Sequence, residues 1–78
     1  MDKREKVRHF LTNVLTQKGD TAPFADNDSL LLKGRIDSLN ILEIVDFLEK
    51  EFGFDLSEQQ FDPNHIDSVE NIMRLIDG

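Results

Sequence analysis

The chain holds no cysteine, and its two histidines, His9 and His65, stand without a second ligand or a carboxylate at a spacing that would make them metal ligands or bases. The candidate chemistry therefore falls to serine. Three serines occur in Asp-Ser-apolar triplets, Asp28-Ser29-Leu30, Asp37-Ser38-Leu39 and Asp67-Ser68-Val69. The tripeptide does not separate them, but the residues C-terminal to each one do. Ser29 is succeeded by LLLKG, too short before its glycine for a full helix, whereas Ser38 and Ser68 each open a segment of helical period. Asp67 and Glu70 read as N-cap and N3 of a capping-box-like pair, so Ser68 has a purely structural explanation. Ser38 alone combines a preceding glycine-containing loop with the longest helix.

The segment 38–52, SLNILEIVDFLEKEF, must position that serine. Asp37 is the expected N-cap, its carboxylate accepting from the N–H of Leu39 or Asn40, which makes Ser38 the first helical residue. A helix start leaves backbone N–H groups without intrahelical partners and favours a negative group there. At roughly 100° per residue, Ile41, Val45, Leu48 and Phe52 form a stripe flanked by Leu42 and Ile44, and these are expected to face the core. Glu43, Asp46 and Lys50 fall on the opposite side. The same count places Leu39 and Phe47 near the charges, two hydrophobes for which solvent exposure needs a reason.

Elsewhere the pattern is also helical. From Asp2 to Gln17, Val7, Phe10, Leu11, Val14 and Leu15 recur at helical spacing, and Lys18-Gly19-Asp20 closes the segment. Residues 20 to 37 form a long connection in which Phe24, Leu30, Leu31 and Ile36 are apolar enough to lie over the helices, predicting an ordered loop. Asp26-Asn27-Asp28 resembles the start of a calcium loop, but no glycine stands at the sixth position and no Glu at the twelfth. After Gly53, residues 57–60 could form a polar turn. Phe61-Asp62-Pro63-Asn64-His65-Ile66 reads as one short helical turn with Asp62 as N-cap, Pro63 at the first helical position and Phe61 and Ile66 as anchors. From Ser68 to Asp77 a last stripe comprises Val69, Ile72, Met73 and Ile76. The expected fold is all-α: three amphipathic helices and one short one around a single core, in one domain spanning 1–78.

Seventy-eight residues is near the lower limit for a core that stands alone. The net charge of −7 is uneven, net +3 over residues 1–19 and net −10 over residues 20–78. An acidic surface of this kind repels phosphate backbones, so nucleic acid is not an expected partner, and it attracts basic protein patches. The N-terminal MDKREKVRHF is charged throughout, without the apolar run of a signal peptide or a membrane span. A cytoplasmic, soluble monomer is the expectation, and no Ser-His-Asp, Cys-His or metal-ligand constellation argues for an enzyme.

An Asp-Ser-Leu after a glycine-containing loop, then an acidic amphipathic helix ending in Glu-Phe-Gly, resembles the acyl and peptidyl carrier proteins, and the resemblance spans essentially the whole chain. It implies a four-helix bundle with a long ordered loop between the first two helices. It further implies a 4′-phosphopantetheine arm on Ser38, added from coenzyme A by a phosphopantetheinyl transferase. Intermediates would ride as thioesters between an acyl- or aminoacyl-loading ligase and downstream transferases or synthases. Asp37, Glu43 and Asp46 would then attract partners, with Leu39 and Phe47 as contacts; Phe47 could instead fold back over the turn around Phe61. Carriers of primary fatty-acid synthesis typically continue Asp-Ser-Leu with an acid and have a Met-Ala-like pair in mid-helix. This chain has Asn40, Asp46 and Phe47 there, with Lys33 and Arg35 before the serine. The departures point to a specialised pathway: polyketide, nonribosomal peptide, aminoacyl or D-alanyl transfer. The rival reading is a small acidic helical interaction module that is never modified.

Overall fold

The computed structural model describes residues 2–53 and 66–77. Among these, three helices and no strand are found: α1 Lys3–Gln17, α2 Ser38–Phe52 and α3 Val69–Asp77. The all-helical class agrees with the periodicity. The expected polar turn at 57–60 and the short helical turn lie outside the described residues, except for Ile66, which is completely buried. None of the described helices is long and apolar enough to cross a membrane.

Each helix begins where a side chain can take up the orphan amides of its first turn. Asp2 caps α1 by accepting from the N–H of Glu5 at 2.8 Å. Gly53, at φ +73°, ends α2 in the left-handed conformation that glycine adopts without a Cβ penalty, its N–H donating to the Glu49 carbonyl at 3.0 Å. At α3 the expected cap is displaced by one residue. Ser68, not Asp67, is the cap: its hydroxyl accepts from the Asn71 N–H at 3.1 Å and its carbonyl accepts from Ile72 at 3.0 Å. Glu70 does not close a box but pairs with Arg74 one turn on, at 2.6 Å.

Asp67 is displaced because it has a different task. It is 2% exposed, and its carboxylate accepts from the Ser29 hydroxyl and from the Asn71 amide at 3.1 Å. Its carbonyl accepts from the Leu30 N–H at 2.9 Å, and the Asp26 carbonyl accepts from Glu70 at 2.8 Å. These bonds stitch the long loop to the start of α3. Leu30 is thereby driven fully into the core, joined by Ile36, with Phe24 and Leu31 packed at its edge, as the apolar content of the loop predicted.

The core proper is Val7, Leu11, Val14 and Leu15 from α1, Leu30 and Ile36 from the loop, Ile41, Ile44 and Leu48 from α2, and Ile66, Val69 and Ile72. Cations tie the loop down from outside. Arg35 makes a two-pronged pair with Asp20, at 2.7 and 3.0 Å, and donates to the carbonyls of Ala22 and Pro23. Arg4 and Arg8 both bind Asp26, and Arg8 also lies over the Phe24 ring, 4.5 Å from its centroid. The Asp26 carboxylate, the first position of the calcium-like run, is thus occupied by guanidinium groups.

Three loop carboxylates, Asp20, Asp26 and Asp28, are held below the usual range. Hydrogen bonds from Arg35 and then from the Ala22 N–H do this at Asp20, and the Ala25 N–H and then the Lys33 ammonium at Asp28. At Asp26 burial pushes upward, and the paired bonds from Arg4 and Arg8 more than reverse it. A carboxylate whose folded pKa is depressed contributes stability that is present above its unfolded value, about 3.9, and is lost as pH falls through the folded one. Urea midpoints measured against pH should therefore drop below about pH 4, and Asp20→Asn should flatten that drop. Leu30→Ala should cost about 3 kcal/mol in chemical denaturation, with an unchanged m-value.

Candidate functional site

The approach to α2 is a tight turn and then an anchor. Gly34 donates to the Leu31 carbonyl at 3.0 Å and Arg35 to that of Leu30 at 2.9 Å. Ile36, 3% exposed, then fixes the chain against the core. Asp37 leaves in an extended conformation, φ −126° and ψ −175°, and the helix starts at Ser38 as expected. The next two positions, Ser38 and Leu39, are exposed, while Asn40 and Ile41 turn inward.

The cap is reciprocal. Asp37 accepts from the Asn40 N–H at 3.1 Å, and the Asn40 side-chain oxygen accepts from the Asp37 N–H at 3.0 Å. That same oxygen also accepts from the Lys18 ammonium at 2.8 Å, and Lys18 stands 3.9 Å from the Asp37 carboxylate. Asn40 therefore joins the end of α1 to the beginning of α2. The amides of Ser38 and Leu39 have no protein acceptor among the described residues, as expected for a first turn open to solvent.

The three triplet serines are in three different situations. Ser29 donates to Asp67 and accepts from the Leu32 N–H at 3.2 Å; Ser68 is 3% exposed and committed to the α3 cap. Ser38 is exposed, and its hydroxyl has no protein partner among the described residues. It follows the capping Asp37, its own amide and that of Leu39 are open donors, and Lys18 reaches the same turn at Asn40. An alcohol so placed can be reached by another protein's active site, and an anion attached to it would meet the positive end of a helix dipole. Among the described residues no side chain hydrogen-bonds the Ser38 hydroxyl, and the neighbouring Asp37 carboxylate accepts from the Asn40 N–H.

Three outward-facing leucines surround this region in sequence: Leu32 at 78%, Leu39 at 64% and Leu42 at 63% exposure. Leu39 lies where the periodicity placed it. Leu42 does not: it was expected on the flank of the core stripe, but the stripe is centred on Ile41, Ile44 and Leu48, and on that setting Leu42 turns outward with Ser38 and Asp46. Phe47 departs the other way. It was expected on the charged face, and it is half-buried because Phe10 of α1 stacks on it, with ring centroids 4.2 Å apart and planes 12° from parallel. Phe52 meets it edge-on at 5.8 Å.

The residues singled out as partner contacts thus form two groups. Asp37 and Leu39 flank Ser38, while Glu43, Asp46 and Phe47, with Phe10, Lys50 and Glu51, line a groove of about 410 Å³ between α2 and α1. Asp46 pairs with Lys50 at 3.0 Å within that groove. Sequence periodicity missed Leu42, Lys18 and Phe10. A finer phase of the α2 stripe would have exposed Leu42, but the contacts of Lys18 and Phe10 cross between helices and leave no local signal. Among the described residues, no three His, Asp or Glu side chains converge as a metal site.

No family model matches the chain, and no curated protein or solved structure matches it. The site must be read on its own geometry.

If Asp37 and Asn40 hold the first turn as a unit, Asp37→Ala should cost about 1 kcal/mol. The measurement is hydrogen exchange, with faster exchange at Asn40 and Ile41 and little change in α3; Asp37→Ser should restore most of the protection.

Proposed function

We propose that the chain is a carrier protein with a four-helix-bundle fold and with Ser38 as the attachment point for a 4′-phosphopantetheine arm. The observation that carries this reading is the contrast among the three triplet serines: two are consumed by the fold, and Ser38 is presented free at a helix start. The group fits the residues present, since a phosphodiester on Ser38 would face open amides of α2, in the same turn that Lys18 contacts at Asn40.

In the loading reaction Ser38 is the nucleophile. Its oxygen forms the new bond to phosphorus while the pyrophosphate P–O bond of coenzyme A breaks, 3′,5′-adenosine bisphosphate leaves, and the hydroxyl proton passes to a base of the transferase. Once in place, the arm supplies a terminal thiol that holds acyl or aminoacyl groups as thioesters. The chain's own part is presentation. The Asp37–Asn40 box fixes the first turn, Ile36 anchors the approach, and the exposed Leu39 and Leu42, edged by Glu43 and Asp46, offer loading ligases and downstream enzymes an apolar contact with an acidic border. Asp46 and Phe47 replace the mid-helix pair typical of fatty-acid carriers, and the cargo proposed is that of a specialised acyl, polyketide, peptide, aminoacyl or D-alanyl pathway.

The exposure of Leu32, Leu39 and Leu42 also favours a second reading, a docking module that binds a partner without being modified. Incubation with coenzyme A, Mg²⁺ and a broad-specificity phosphopantetheinyl transferase, and then intact-mass analysis, separates the two. One phosphopantetheine should be added to the native chain and to Ser29→Ala and Ser68→Ala, and none to Ser38→Ala. An unmodified native chain leaves the docking module.

A further inference from the structure

We propose that Lys18 is a positioning residue for the anionic group on Ser38: its ammonium, held by Asn40 and Asp37 before loading, turns to the phosphodiester after it. The proposal rests on the carrier reading above and goes beyond it by assigning a role to α1.

Lys18 is the C-cap of α1, and its backbone N–H is already used by the carbonyls of Leu15 and Thr16. A lysine there would ordinarily serve the negative end of its own helix. Instead its side chain reaches the first turn of α2, 2.8 Å from the Asn40 oxygen and 3.9 Å from Asp37. Neither contact consumes its charge. The shorter one is to a neutral amide, and the pair with Asp37, whose side chain is 66% exposed, is loose.

The electrostatics favour such a cation. Asp37 immediately precedes the serine and would repel an anion placed there. Every other described cation in a salt bridge is engaged elsewhere: Lys3 with Asp77, Arg4 and Arg8 with Asp26, Lys6 with Glu51, Lys33 with Asp28, Arg35 with Asp20, Lys50 with Asp46 and Arg74 with Glu70. Among the described residues, Lys18 is the one cation that touches the α2 start. Its side chain is one-third exposed, so it can change partners without opening the core.

The test compares the native chain, Lys18→Gln, Lys18→Met, Lys18→Arg and, as a control, Lys33→Gln. Each is prepared unmodified and loaded with phosphopantetheine, with loading verified by intact mass, and then melted by circular dichroism at low salt and at about 1 M salt. Comparing loaded with unmodified forms of the same variant removes the direct cost of losing the Lys18–Asn40 bond. At low salt, loading should lower the Tm of Lys18→Gln and Lys18→Met by about 2–5 °C relative to its effect on the native chain. Lys18→Arg and Lys33→Gln should behave as native, and high salt should close the gap. Lys18→Met keeps the aliphatic stem and decides the matter should Lys18→Gln fail to fold. Equal loading shifts in native and neutral variants at low salt would overturn the role of Lys18 while leaving the carrier intact. Absence of mass addition to the native chain removes both, and is seen before any melt.

Discussion

A carboxylate enclosed at the threshold of α3 governs the layout of the molecule. Asp67 is out of reach of water, and in place of a cation its neighbours are a serine hydroxyl and an amide. A polar group in such a place is tolerated only when hydrogen-bonded, so the backbone that brings Ser29 to it is under strong constraint. Ser29 brings Leu30 with it, Leu30 fills the centre of the core, and the loop from 20 to 37 becomes a structural layer in its own right. The candidate site at Ser38 is downstream of that arrangement, because Ile36, Asp37 and Ser38 emerge from a segment already fixed at Leu30.

The sequence made the helices legible because their determinants are local. Apolar spacing and caps placed α1 and α2 to within a residue, and the apolar side chains of the long loop announced that it would pack. The helix start at Ser38 was legible for the same reason: a glycine-containing turn, a capping aspartate and a long amphipathic run are all adjacent in the chain. The misplacements share a cause. Asp67 resembled an N-cap by spacing, but its side chain was claimed by Ser29, distant in sequence. Phe47 looked solvent-facing on a helical wheel, and only the position of Phe10 on another helix reveals otherwise. Leu42 was misjudged because a wheel has no absolute phase until a partner helix sets it.

Charge is divided in a way that composition alone conceals. The basic excess in residues 1–19 suggests a cationic patch, yet all five cations there are paired with acids from later in the chain: Lys3 with Asp77, Arg4 and Arg8 with Asp26, Lys6 with Glu51 and Lys18 with Asp37. Most of these pairs are exposed and individually weak. Their collective effect is on what the molecule displays. With these cations paired to acids of the fold, the field seen by an approaching protein is that of the surplus carboxylates.

The stacked rings of Phe10 and Phe47 have a consequence for the other end of α2. Polar bonds at Asp37 and Asn40 restrain where that helix begins, yet a cylinder gripped at one tip could still turn about its long axis. The flat face of Phe47 lying on Phe10 joins the buried Ile44 and Leu48 in opposing this, much as a key seated in a slotted shaft opposes rotation, since one residue of turning would sweep the ring through about 100° and out of its seat. The compass bearing on which the Ser38 oxygen leaves the surface is thus set in part nine residues away, by a pair of stacked hydrocarbon rings.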